Sequence, residues 1–454
     1  MKSRETNMLQ GSLYSGIIQY TIPIILSSVL QLLFNAADLV VVGQFCGSIS
    51  VGAVSATGAI TNLIINLFVG LSIGTGVCVA HGLGARRDDE VFHTVHTAIP
   101  VALISGVILT VIGVCFAKPL LELMSTPEDV LPLSSLYMTI YFAGITFTIL
   151  YNFASSILRA AGDTKGPLIY LTIAGVINVI LNLVFVIVFD MNVAGVALAT
   201  IIAQAISAFL VVRALLHRTD ACKLHFNKLR IYKAQVLKMI QIGLPAGIQG
   251  AMFSISNVII QSSVNGFGSA TLVAGNGAAG NIEGFVYMAL NGFSQTAVNY
   301  VGQNAGAQQY DRIRKIFRTC VVCVTTVGLT LGPLVYFAGP ALLKFYIPDS
   351  QEAIAYGVTR LAYVCLPYFM CGLMDLATGA LRGLGTSFIP MIVTILGVCG
   401  LRIAWVYTIF QMPQFHTPQC LYLSYIVSWT LTFLVQFVLL EVVLKKKERQ
   451  AQLA

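Results

Sequence analysis

The chain has 454 residues, 57% of them hydrophobic and only 10% charged, whereas a soluble domain carries about 25% charged residues. That composition excludes an ordinary soluble enzyme and implies an all-α polytopic membrane protein. The formal net charge of +8 would suggest nucleic acid in a soluble protein. Here the charges fall mostly in loops, where they set topology and meet anionic lipid, so the lipid bilayer and not nucleic acid is the expected partner.

The polar start, Met1 to Gln10, runs directly into a span too long for a signal-peptide core, so no cleavable leader is expected. Twelve apolar stretches follow, near 12–46, 51–82, 94–117, 130–161, 168–190, 194–216, 236–263, 271–303, 316–339, 352–383, 388–411 and 419–443. Uniform apolarity and internal glycine favour helices over a barrel, whose strands would alternate with period two. Several stretches exceed what a hydrocarbon core of about 30 Å requires, which predicts tilt or extension beyond the bilayer.

The first span holds one charge, Asp38, inside LLFNAADLVVVG. An ionised Asp at mid-depth costs roughly 2.5–3.5 kcal/mol or more, so it faces a watery cavity or a partner. It is either a structural carboxylate or a coupling-ion or proton site. Counting 1.5 Å of rise per residue, Asp38 and Asn182 each lie about 12 Å below the outer ends of their spans, and Thr200 about 9 Å below its own. Asn178 lies one turn before Asn182. These four residues can converge as an acid, two amides and a hydroxyl, a set suited to a small oxygen-liganded cation or a proton-switched network. No other metal site is expected beyond Na+ at Asp38, and no cofactor beyond the coupling ion, H+ or Na+.

Leu215 to Lys233 is polar and basic and reads as a cytoplasmic connector. It divides the chain into an N-lobe (1–216), the connector (217–235) and a C-lobe (236–454). The second half repeats the first. Pro23 matches Pro245 and Asn35 matches Asn257 at an offset of 222 residues. Leu158-Arg-Ala-Ala-Gly162 matches Leu381-Arg-Gly-Leu-Gly385, and Pro167 matches Pro390, one residue later in register. Two six-helix repeats of the same orientation follow, related by an axis along the membrane normal. Lysine and arginine place both termini inside, leaving Lys118 and Lys344 outside and Arg360 near the outer end of the tenth span.

The counterpart of Asp38 in the second repeat is Ile260, so the halves are chemically unequal. The second half has its own buried charges, Glu283, Asp375 and Arg402. A buried arginine seeks a carboxylate, and depth pairs Arg402 with Glu283, either as a structural ion pair or as a substrate-responsive one. Asp375, nearer the cytoplasmic end, is the better candidate for an acid lining a substrate cleft. Gln31, Asn35, Gln249 and Asn257 are neutral cleft candidates, or pair across helices. The ten cysteines are scattered among apolar spans and read as small buried hydrophobes, Cys320-x-x-Cys323 included. No P-loop, HExxH, G-x-S-x-G or dinucleotide fingerprint is present, so the chain is not expected to be an enzyme.

Taken together, FNAADLVVVG, GLGARRDD with VGQNAGAQQYDRIRK, ILRAAGDTKGP with ALRGLGTSFIP, and VINVILNLVFVI with GVALAT resemble the multidrug and toxic compound extrusion (MATE) family over essentially the whole length. The resemblance implies two six-helix lobes around a central cleft. It implies cation-coupled antiport of amphipathic, often cationic organic compounds across a bacterial-type plasma (inner) membrane, by a monomer. It also implies a coupling-ion role for Asp38, Asn178, Asn182 and Thr200. One branch of the family carries aspartate where this chain has Asn182 and tyrosine where it has Phe34, so a single acid serves here. Some members carry an acid where this chain has Cys371. The alternative is a flippase for lipid-linked oligosaccharide, which would call for more basic residues in the cleft.

Overall fold

A bilayer offers no water to a spanning backbone, so each peptide N–H must be satisfied within its own helix. The computed structural model describes residues 5–124 and 126–453, apart from the side chains of Ser48 and Ala59. Among the described residues there is helix and loop but no strand. The first half comprises α1 (Leu13–Phe45), α2 (Ser48–Gly84), α3 (Asp88–Leu123), α4 (Leu131–Ala143), α5 (Ile145–Ala160), α6 (Lys165–Leu183) and α7 (Asn192–Leu216). The second comprises α8 (Lys233–Asn265), α9 (Ala270–Gly306), α10 (Tyr310–Tyr346), α11 (Gln351–Val364), α12 (Tyr368–Gly383), α13 (Phe388–Thr394), α14 (Leu401–Tyr407) and α15 (Pro418–Leu453).

Among the described residues nine helical spans are long and apolar enough to cross a membrane, and two further pairs, α4 with α5 and α11 with α12, pass as single spans bent by 46°. The remaining long helix is α9, whose 37 residues carry too many polar side chains to stand out by hydropathy. With it the described spans number twelve. Glu283, Tyr287, Asn291, Gln295 and Asn299 recur on α9 at every fourth residue, which places them on one face. The structure therefore has the all-α, twelve-span plan expected from the sequence.

Matching features recur in the two halves. Each has its fourth span bent by the same angle. Each has a π-helical stretch in its fifth, at 184–188 after α6 and at 395–400 between α13 and α14. Left-handed backbone also recurs at corresponding turns, at Arg86 and Gln308, and at Gly162 and Gly385. Helix starts have local causes. Ser269 caps α9 by accepting from Leu272 N–H at 3.2 Å, and Ser350 caps α11 by accepting from Ala353 N–H at 3.2 Å.

The chain forms two compact units. One contains residues up to Met8 and Leu26–Ala251; the other contains Leu9–Ile25 and everything from Met252 on. The unit boundaries thus fall within α1 and α8, and not in the connector between residues 216 and 236. Within the first unit the reason is visible at the crossing of α2 and the first half of α8. A Cβ on Gly70 would lie 2.3 Å from Gly247 N, and one on Gly243 would lie 2.6 Å from the Leu71 Cα. Glycines four apart on both helices (Gly70 and Gly74, Gly243 and Gly247) let the backbones touch, as small residues do in membrane helix pairs. Within the second unit the first half of α1 packs on α9, where the Thr21 and Thr296 hydroxyls share a hydrogen bond at 2.7 Å.

The connector is anchored to the first unit. The Arg218 guanidinium binds both Asp220 and, at 2.8 Å, Glu5. Burial would raise the Asp220 carboxyl, but the adjacent guanidinium outweighs it and holds the group below its ordinary range. Further along, His225 N–H donates to His96 Nε2 at 3.0 Å, and Tyr232 N–H donates to Thr97 Oγ1 at 3.2 Å.

Candidate functional site

In the first unit, α1, α6 and α7 bring together all four residues singled out from the sequence. Asp38 is buried, and its two carboxylate oxygens are divided between neighbours. Asn182 Nδ2 donates to Oδ1 at 2.5 Å, and Thr200 Oγ1 donates to Oδ2 at 3.4 Å. Asn178 completes the ring, donating to Thr200 Oγ1 at 3.3 Å while its own Oδ1 accepts from Asn182 at 3.3 Å. The spacing of Asn178 and Asn182 explains why both reach the acid, since residues four apart share a helix face. Immediately after Asn182 the helix widens into its π-helical stretch, an irregularity frequent at functional positions.

Among the described residues no cation stands within ion-pair distance of Asp38, so its neighbours at that range are neutral donors. Asn182 Oδ1 is buried without a donor. The cluster therefore offers carboxylate, amide and hydroxyl oxygens, one of them unsatisfied. Such a donor set fits a small hard cation, and equally a proton on the carboxylate. Tyr137 and Tyr141 of α4, which the sequence reading did not single out, lie within electrostatic range of this acid, their rings 6.1 Å apart. They sit one turn apart in an aromatic-rich span, a pattern that core packing produces as readily as a site.

The second unit corrects the expected pairing of Arg402 with Glu283. Glu283 is held by Arg360, whose Nε and Nη2 donate to its two oxygens at 2.7 and 2.8 Å. Arg360 Nη1 donates to Asn276 Oδ1 at 2.6 Å, and the Tyr422 hydroxyl donates to the same oxygen at 3.0 Å. This is a closed network of the bidentate kind that suits a buried guanidinium. Depth alone misled because it gives one coordinate and leaves rotation about the helix axis free. Arg360 lies buried inside the bent tenth span, as expected. Arg402 instead donates from Nε to Ser428 Oγ at 3.1 Å and lies over the Tyr425 ring at 4.1 Å.

Asp375 is buried on α12, within hydrogen-bonding reach of Tyr287 and Asn291 and close to Arg382. Of the neutral candidates, Gln249 is buried, whereas Gln31, Asn35 and Asn257 are exposed. Gln261 accepts from Asn276 at 2.8 Å. No group of three or more potential metal-ligating side chains is found among the described residues.

The comparisons with known proteins follow this geometry. The MatE family matches residues 23–184 and 245–408, one segment in each repeat. The chain belongs to the MATE family of membrane transporters. It is 27% identical over 402 residues to the "Probable multidrug resistance protein YoeA" of Bacillus subtilis, with 86% of each chain covered. It is 24% identical over 361 residues to a protein of Shewanella oneidensis named "FAD transporter", covering 77% of this chain and 78% of that one. A crystal structure titled "MATE in the bent conformation" superposes with a TM-score of 0.91 over 100% of both chains at 17% identity, a likeness of fold. MATE proteins are transport proteins, and no catalytic family is indicated.

Proposed function

We propose that this MATE protein is a multidrug exporter, a secondary antiporter that expels amphipathic organic compounds, cationic ones included, in exchange for H+ or Na+. The observation that carries the reading is the Asp38 carboxylate, enclosed by neutral donors from three helices with an unsatisfied amide oxygen beside it. A proton on Asp38, or Na+ among the oxygens of Asp38, Asn178, Asn182 and Thr200, removes the net charge against which Asn182 and Thr200 donate. The amide then re-pairs next to the π-helical stretch, where the backbone tolerates a shift of register. The two compact units act as lobes that alternate access, with α1 and α8, within which their boundaries fall, as the links.

An ion biases this equilibrium only by its different affinity for the two states. The lysine and arginine asymmetry supports both termini inside, and the protein acts as a monomer in the plasma membrane. The flippase alternative draws no support from the matched family or relatives. The test is ethidium efflux from vesicles under an imposed pH gradient alone, then under a Na+ gradient alone. Wild-type protein responds to one of them, and Asp38→Asn falls to background while remaining folded. Gradient-driven efflux by Asp38→Asn at the wild-type rate would overturn the coupling role.

A further inference from the structure

Arg402 is the buried cation in the second unit that its own acids leave unneutralised. It is only 2% exposed, yet no carboxylate lies within ion-pair distance among the described residues. Both oxygens of Glu283 are taken by Arg360, and Asp375 faces Tyr287, Asn291 and Arg382. A guanidinium presents five N–H donors, and the hydrogen bond found for this one is that from Nε to Ser428 Oγ. The flat face of the ion is covered, lying 4.1 Å from the Tyr425 ring centre and 5.7 Å from that of Trp429. For its remaining N–H groups no acceptor is found among the described residues. Aromatic faces offset the desolvation of the charge but do not accept from in-plane N–H groups.

We infer that Arg402 is a substrate-recognition residue, whose unpaired N–H groups receive the carboxylate of an aromatic organic anion. The surroundings suit that class. Tyr425, Trp429 and Tyr368, all buried, form a chain of edge-to-face rings with centres 5.4 and 5.2 Å apart, an aromatic environment beside the guanidinium. The guanidinium fork matches a carboxylate in two parallel hydrogen bonds. This inference rests on the export reading above and adds the charge of the substrate to it.

The test uses two dyes that share the xanthene ring system, fluorescein, which bears a carboxylate, and rhodamine 6G, a cationic ester. Binding of each to the purified full-length protein is followed by fluorescence anisotropy. Wild-type protein should bind fluorescein, and Arg402→Met should weaken that binding about tenfold or more while tightening rhodamine 6G. Arg402→Lys, which keeps the charge and loses the fork, should fall between them. Equal fluorescein affinity in Arg402→Met and wild type overturns the inference. So does equal affinity in Arg402→Lys and wild type, which decides the matter if the methionine variant does not fold. Wild-type protein that binds and exports rhodamine 6G but ignores fluorescein overturns this inference and leaves the export reading standing. Failure to bind or export either dye overturns both.

Discussion

At the scale of single residues, the second unit contains two buried arginines solved in opposite ways. Arg360 has a bidentate carboxylate, an amide oxygen and the rings of Tyr422 and Tyr425 within 5.5 and 5.8 Å. Arg402 has rings and a hydroxyl. Removing one partner of a buried ion pair strands the other and costs roughly 3–5 kcal/mol. Arg360→Ala or Glu283→Ala should therefore lower the melting temperature of the detergent-solubilised protein sharply, and Arg360→Met with Glu283→Gln should recover most of the loss. Arg402→Met strands no acid and should cost less than either. A Glu283→Ala protein as stable as wild type would show that the pair contributes nothing. The Asp38 cluster was legible in the sequence because depth and four-residue spacing together fixed its members. The partner of Glu283 was not, because two arginines lay at usable depths and only the orientation of α9 and the bend between α11 and α12 choose between them.

At the scale of elements, the crossing of α2 with α8 governs how the first unit is built. Its four glycines bring main chain against main chain, so any side chain there must push the helices apart. The same motif was readable as Gly70-x-x-x-Gly74 and Gly243-x-x-x-Gly247, but which helix pairs meet cannot be read from one sequence. Overpacking a tight interface typically costs about 1–3 kcal/mol, and here the obstacle is backbone, which cannot rotate away. Gly74→Leu and Gly243→Leu should each lower the melting temperature. Gly58→Ala on α2, where an added Cβ would meet nothing within 4 Å, should be neutral or slightly stabilising through its better helix propensity. The opposite order, with Gly58 the sensitive position, would place the crossing elsewhere along α2. Span number and repeat register were readable because hydropathy and matched motifs survive in both halves. The two 46° bends and the polar helix α9 were not, since a broken span and a continuous one have the same hydropathy.

At the scale of the whole molecule, the duplication has kept its shape and lost its chemical symmetry. Both halves retain the bent fourth span and the π-helical stretch in the fifth. At the positions equivalent to Asp38, Asn178 and Asn182, however, the second half carries Ile260, Leu401 and Trp405. Ile260 is buried, and Trp405 is committed to the Cys420 carbonyl at 3.0 Å. If ion coupling depends on the donor set and not merely on an acid at that depth, moving the acid alone should fail. Asp38→Asn combined with Ile260→Asp should therefore show background efflux under either gradient. It should also be less stable than Asp38→Asn, because the new carboxylate enters an apolar site without the amide and hydroxyl donors that surround Asp38. The measurements are ethidium efflux and the melting temperature of the purified protein. Recovery of gradient-driven efflux in the double variant would mean that either repeat can host the coupling acid, and that Asn178, Asn182 and Thr200 serve only to pack the first unit.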